Sequence, residues 1–280
     1  MRGTNGKLVS VSLAVAGLSL LILSTQAVGQ EAPKSHRDLD WQAPRRWVHV
    51  DNVDPQKASL FVNARLGWLA TLRRDDGLLG DGRPLFWHAR SSKAGETFFS
   101  FYPFRTWADL DARGQMATET VKVVGEDALK AYDSGDEALV SPHYSQIWSR
   151  VAEYDIAVPA TDSLTELTAM AGRLEVHSVD ITRWDVFEQS WKQITDTLVA
   201  AEYPQACRFF RSTYGKGEYM VWWLAPDSAA YMSAPSIQDV LDAQLGSQRS
   251  AELRGALDAV FPVEAFYDVE RRADLSNLGM

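Results

Sequence analysis

The sequence predicts an α+β fold of two tandem βαββαβ units related by a pseudo-twofold axis. Two observations predict it. The stretches RWVHVDNVDP (46–55) and RLEVHSVDIT (173–182) share one pattern: apolar residues alternate with polar ones, a His and a carboxylate stand two positions apart, and an Asp closes the run ahead of a helical pattern. Matches at an offset of 126 (Val50 with Val176, Val53 with Val179, Asp54 with Asp180, Phe61 with Phe187) and at an offset of 113 (Ala152-Tyr154-Asp155-Ile156 with Ala265-Tyr267-Asp268-Val269) extend the likeness. Identity elsewhere is slight, so the repeated order of elements carries the most weight.

The first unit is expected over 46–157. WVHVDNV alternates as a strand does, and DP at 54–55 gives a capping Asp with Pro at the first helical position. Ala58, Val62, Leu66, Leu69 and Leu72 follow at helical spacing. DDGLLGDGRP is a turn-rich loop, and LFWHARS with TFFSFYPF reads as a hairpin around SKAGE. TWADLDARGQ and EDALKAYDSGDEAL form a helical region, and RVAEYDIAV is expected as the closing strand. His143, in SPHY, reads as a turn residue.

The second unit, 173–272, repeats that order. RLEVHSV is a strand, and Ile181, Trp184, Phe187, Trp191, Ile194, Leu198 and Ala201 make the cleanest helical stripe in the chain. ACRFFRSTY and EYMVWWLAP flank the turn GKG. A helical region from about Ser228 to Val260 is expected to break at Pro235 and Gly246, and VEAFYDVE is the last strand. Residues 158–172 link the units and 273–280 form a tail.

Ahead of the units, Arg2 and Lys7 precede an apolar run from Leu8 to Leu23, and Ala27 and Gly29 have the spacing a signal peptidase reads. Residues 1–29 are therefore expected to be a cleaved signal peptide, with 30–45 a polar leader and the protein exported to the periplasm or beyond. The run, about 16 residues, is short for a bilayer span, and no Cys follows it for lipid attachment. Cys207 is the only cysteine, which excludes an internal disulfide and a thiolate metal cluster. Losing Arg2 and Lys7, and no acids, takes the net charge from −9 to −11, which argues against nucleic acid and anionic membrane partners. A small molecule is the expected partner; cofactor and oligomeric state stay open.

Two βαββαβ units, each with an alternating first strand, an amphipathic helix and an aromatic hairpin, have the ferredoxin-like order. Over about 46–272 they resemble the dimeric α+β-barrel superfamily, with both halves fused in one chain. The resemblance is one of element order, without a subfamily motif. It implies two sheets packed face to face as a barrel, with ligands held inside it or between sheet and helices. That superfamily includes antibiotic-biosynthesis-type and haem-degrading monooxygenases, chlorite dismutase-like haem enzymes and ligand-sensing domains. No His follows His177, which argues against the haem-enzyme branch.

Strand parity sorts the candidate residues. Val48 and Val50 share one face of the first strand; Trp47, His49, Asp51 and Val53 share the other. Leu174 and Val176 oppose Glu175, His177 and Val179 in the same way. Helices are expected to cover the Val/Leu face, together with Tyr154 and Tyr267, so the His-carboxylate pairs point away from them and converge inside a closed barrel. His49, Asp51, Glu175 and His177 are the candidates for acid–base chemistry, with His49 and His177 as metal ligands. His88, Arg90, Asp155 and Asp268 are candidate ligand-binding groups. An open sheet has a polar, solvated face whatever its function, so a purely structural reading stands beside these.

No HExxH, GxSxG or P-loop pattern occurs. The functional expectation is an exported binder of a small aromatic or apolar molecule held between the two units. The alternatives are a cofactor-independent or metal-dependent oxygenase or lyase in the same cavity, and a structural or interaction protein whose cavity is filled by side chains.

Overall fold

A computed structural model of the chain describes residues 43–73, 85–91, 95–111, 122, 124–158, 161, 165–166, 168–214 and 217–276. The first half runs β1 (Arg45–Val53), α1 (Ala58–Arg73), β2 (Leu85–Ser91), β3 (Gly95–Phe104), α2 (Glu126–Leu139) and β4 (Val140–Arg150). The second runs β5 (Ala171–Ser178), α3 (Trp184–Ala200), β6 (Ala206–Ser212), β7 (Glu218–Ala225), the short helices α4 (Ser228–Ser233), α5 (Ile237–Leu245) and α6 (Ser247–Asp258), and β8 (Val263–Arg271). Residues 1–42, which hold the expected signal peptide and most of the expected leader, lie outside the described residues, as do the GLLGDG loop and residues 112–121. No helix among the described residues is long and apolar enough to cross a membrane.

The eight strands close into an antiparallel barrel in the order β1-β3-β2-β8-β5-β7-β6-β4. Begun at β4, the ring reads β4-β1-β3-β2 and then β8-β5-β7-β6, so each half supplies four adjacent strands in the same relative order. The ladders within a half are long: β1 pairs with β3 from Arg45↔Phe104 to Val53↔Glu96, and β5 with β7 from Ala171↔Ala225 to Ser178↔Glu218. The two joints between halves are short. β2 meets β8 at Trp87↔Arg271, His88↔Glu270 and Ala89↔Val269, and β4 meets β6 at Trp148↔Ser212, Ser149↔Arg211 and Arg150↔Phe210.

Closure decides which strand face is buried deepest, and it reverses the predicted sides. Val48 and Val50 pack inside the barrel with Phe101, Leu174, Phe210 and Trp222. Phe101 stacks on Trp222 at 4.5 Å between ring centroids, and Trp87 meets Trp222 edge-on at 5.0 Å. An eight-stranded barrel is just wide enough for side chains to fill, so the apolar face goes inward. Val50 and Tyr267, predicted to face helices, belong to this interior, and Val176, opposite Met220, shares that strand face. Tyr154 does face a helix: it meets Trp184 and Phe187 of α3. The His-carboxylate face turns outward, toward the helices.

The helix layers follow the sequence stripes. Phe187, Trp191, Ile194 and Leu198 of α3 are buried against Phe209, Val221, Trp223 and Phe261. Ile181 is the exception, 73% exposed in a 3₁₀ turn. On the other half, Phe61 of α1 packs on Phe98, Val53 and Leu275, the last from the expected tail. The side chains of Leu69 and Leu72 lie outside the described residues. The breaks around α5 fall where expected: Ser236 caps its start by accepting from the Asp239 N–H at 3.0 Å, and Gly246 ends it at φ +81°.

The closing strand of the first half is a correction. VSPHYSQIWSR (140–150) forms β4, whereas 152–154 of the predicted strand is a 3₁₀ turn. The offset of 113 therefore aligns a turn with β8. Trp148 anchors the actual strand: it is buried inside the barrel and packs with Val48 and Val50. His143 thus sits in a strand, not a turn.

Candidate functional site

Between the outer face of β5, β7 and β8 and the helices α4–α6 lies a cleft of about 520 Å³. The three helices are short because Pro235 and Gly246 interrupt them, and they bridge the sheet instead of sealing it. Glu175 and His177 of β5 line the cleft, with Trp223 of β7, Asp268 of β8, Tyr203 and Tyr231. Two-residue periodicity sends Trp223 here while Trp222 fills the barrel, a separation readable from the pair WW in YMVWWL.

Glu175 is held from two sides on the cleft floor. Its Oε2 accepts from the Trp223 indole Nε1–H at 3.1 Å and stands 3.4 Å from His177 Nε2. Burial would raise this carboxyl, but the His177 hydrogen bond and charge, the Trp223 donor and Arg173 outweigh it and hold it below the ordinary Glu value. His177 lies flat on Phe261, ring centroids 4.0 Å apart, and its Nδ1 faces the Phe261 carbonyl at 3.2 Å. Both ring nitrogens face acceptors, so the ring donates to both only as an imidazolium.

At the other end of the cleft, Arg173 Nε donates to Asp268 Oδ1 at 2.8 Å, and the Tyr231 hydroxyl donates to the same oxygen at 2.6 Å. Burial works against ionised Asp268, yet these two donors keep its carboxyl below the usual range. Burial pushes the Tyr203 hydroxyl up to about 12, so it remains a neutral hydrogen-bonding group. A smaller pocket of about 230 Å³ adjoins this end, lined by His88, Gly172, Tyr231, Met232 and Asp268. His88 is itself held by Glu96 at 2.8 Å and stacked on Phe98.

The predicted candidates therefore divide. Glu175, His177 and Asp268 share the cleft, and His88 reaches the pocket beside it. His49 and Asp51 lie on β1, which stands opposite β5 in the ring, and both pairs point outward. The expected convergence inside the barrel does not occur, and His49 and His177 cannot share one ion. Asp155 is a structural group: it accepts from Arg150 Nε at 2.7 Å and from the Phe209 N–H at 2.8 Å, tying the end of β4 to β6. Arg90 is in β2, its side chain outside the described residues. Trp223, Tyr203 and Tyr231 were not singled out from the sequence; only the alternation along β7 marks Trp223.

The residues that line the cleft do not suit a haem. Among the described residues His177 is the only histidine that lines the cleft, and both its nitrogens are committed to a carbonyl and a carboxylate. The cleft offers no cysteine either, because Cys207 is buried beneath α3.

No protein-family model matches the sequence, and no curated protein matches it. In three dimensions the chain is similar to a candidate monooxygenase from Lactobacillus acidophilus (TM-score 0.46, 12% identity, 83% of this chain and 94% of that one). It is also similar to chlorite dismutase from Candidatus Nitrospira defluvii (0.43, 9%, 85% and 94%) and to a heme-binding protein from Thermus thermophilus (0.45, 10%, 82% and 92%). These neighbours are α+β-barrel proteins; likenesses this distant carry no argument about what this chain binds or does.

Proposed function

We propose that this chain is an exported α+β-barrel protein of two fused ferredoxin-like halves that binds a small aromatic or apolar molecule in the cleft beside β5. The observation that carries the reading is the Glu175 carboxylate, held by Trp223 and His177 on the floor of a half-open cleft with aromatic walls. Trp191, Trp223 and Phe261 supply flat contact area at low entropic cost, and a few fixed polar groups set orientation. Glu175 Oε2 takes both protein donors, so Oε1 is the natural acceptor for an N–H or O–H on the ligand. The packed barrel interior supports the cleft over the barrel as the binding space.

Calorimetric titration of indole, 2-naphthol and anilinonaphthalene sulfonate tests it. At least one probe is expected to bind, and Trp223→Ala is expected to weaken it by about tenfold, near 1.4 kcal/mol. No binding by any probe, or binding insensitive to Trp223→Ala and Tyr231→Ala, would remove the reading. Export has its own test: intact-mass analysis of the protein from its native compartment, where a start at Gln30 is expected.

The Glu175–His177 pair favours a second reading, an acid–base oxygenase or lyase acting in the same cleft. It predicts chemical change of a bound probe by the native chain and none by His177→Gln.

A further inference from the structure

On the opposite side of the barrel, β1 and β4 bring three potential ligands together. His49 and Asp51 stand two residues apart on the outer face of β1, and His143 of β4 is the cross-strand partner of Asp51. One donor atom from each lies within 4.8 Å of the other two. His49 and His143 meet edge-on, ring centroids 5.6 Å apart.

Burial across the group is graded. The Asp51 side chain is 0% exposed and that of His49 27%, while His143 is exposed. Each of the two inner residues is held from behind. Arg65 of α1 reaches Asp51 Oδ2 at 3.2 Å, leaving Oδ1 to face His49 Nε2 at 2.9 Å. Ser145, opposite His49 on β4, engages His49 Nδ1 at 2.8 Å and so fixes the ring.

From this arrangement we infer a binding site for a first-row divalent transition ion, with His49, Asp51 and His143 as its ligands. Two imidazoles and a carboxylate suit zinc or ferrous iron and are a poor set for calcium or magnesium, which take oxygen. Donors on a shared ion stand about 3–4 Å apart at bond lengths of roughly 2.0–2.2 Å. The His49–Asp51 separation of 2.9 Å stands at the short edge of this range, and rotation of the exposed His143 side chain closes the set. Arg65 and Ser145 do what outer hydrogen bonds do in metal sites: they orient the carboxylate and choose the imidazole nitrogen. The remaining coordination positions open to solvent, so water or an anionic ligand can complete the shell. The site is separate from the cleft beside β5 and stands or falls without it.

The test uses the full chain after chelator treatment, titrated with zinc by calorimetry and with cobalt(II) by visible absorption. The expected result is one equivalent bound, undisturbed by excess magnesium or calcium. His49→Ala and His143→Ala should each weaken binding by more than about tenfold. His143 is exposed, so its variant keeps the fold even if replacing buried Asp51 does not; circular dichroism checks this. Absence of stoichiometric binding, retention of native affinity in either His variant, or loss of binding in His177→Ala as well would overturn the site.

Discussion

Trp223 and Glu175 are joined across neighbouring strands, the indole N–H of one donating to the carboxylate of the other at 3.1 Å on the cleft floor. Together with His177 and Arg173 this bond keeps Glu175 below its ordinary titration range, although burial pulls the other way. A depressed carboxyl lends the folded state stability that is present above the unfolded value of 4.5 and lost as pH falls through the lower folded one. Asp155, raised by burial over the opposing pull of Arg150 and the Phe209 N–H, acts in the opposite sense. The useful quantity is therefore a difference. Glu175→Gln is expected to flatten the fall in thermal midpoint between about pH 5 and 3. Parallel midpoint curves for the two proteins would contradict the assignment.

Gly172 on β5 passes against the backbone of β7. A Cβ placed there would stand 2.0 Å from the carbonyl oxygen of Trp223, and this obstacle is backbone, not a movable side chain. Gly172→Ala should cost about 1–3 kcal/mol or more in urea unfolding, as overpacking does. It should also weaken any probe that contacts Trp223. An unfolding midpoint equal to the native one would show that the strands separate freely at this point.

The barrel interior allows a test of volume against polarity. Trp222 is fully buried between Phe101 and Trp87, and among the described residues its indole N–H has no acceptor. Trp222→Ala is expected to lose about 3–5 kcal/mol. Trp222→Phe should cost clearly less, because it retains a ring against Phe101 and removes a donor that nothing accepts. Equal losses in denaturant titrations would mean that packing contributes little here.

Arg46 and Glu166 form a buried ion pair at 2.8 Å, their side chains 0% and 3% exposed. Arg46 Nη1 also donates to the Ala43 carbonyl at 2.6 Å, so the pair ties the start of β1 to the segment ahead of β5. Glu166→Ala removes a buried counter-charge from Arg46 and should destabilise by about 3–5 kcal/mol. The double replacement Arg46→Met/Glu166→Leu should recover most of the loss. Failure of the double variant to exceed the single one would assign the effect to other contacts of Arg46.

Much of the architecture was legible in the residues. The stripe on α3, the hairpin aromatics and the breaks at Pro235 and Gly246 each depend on local periodicity or backbone chemistry, which a sequence states directly. The faces of β1 and β5 were partitioned correctly, since parity is local. Which face lay inward was not legible. A chain of Val48 and Val50 alternating with His49 and Asp51 reads alike whether helices or a closed barrel cover the apolar side. Closure depends on pairing between residues as distant as Ala89 and Val269, and no local pattern encodes it. The same limit hid His143. Pro142 and the polar neighbours of His143 suggest a turn, and only pairing with β1 makes the segment a strand.

The two joints between the halves each hold three paired positions, against six to nine in the ladders within each half. Amide exchange should therefore begin at Trp87–Ala89 and Trp148–Arg150, well before the centres of β1 and β5. While both joints are shut, the ring offers no unpaired strand to a neighbour. Opening of one joint frees two edges, and opening of both exposes β2, β4, β6 and β8 as four complementary ones. Two chains caught in that state satisfy each other by trading halves, so strand exchange into a swapped dimer is the misassembly this topology favours.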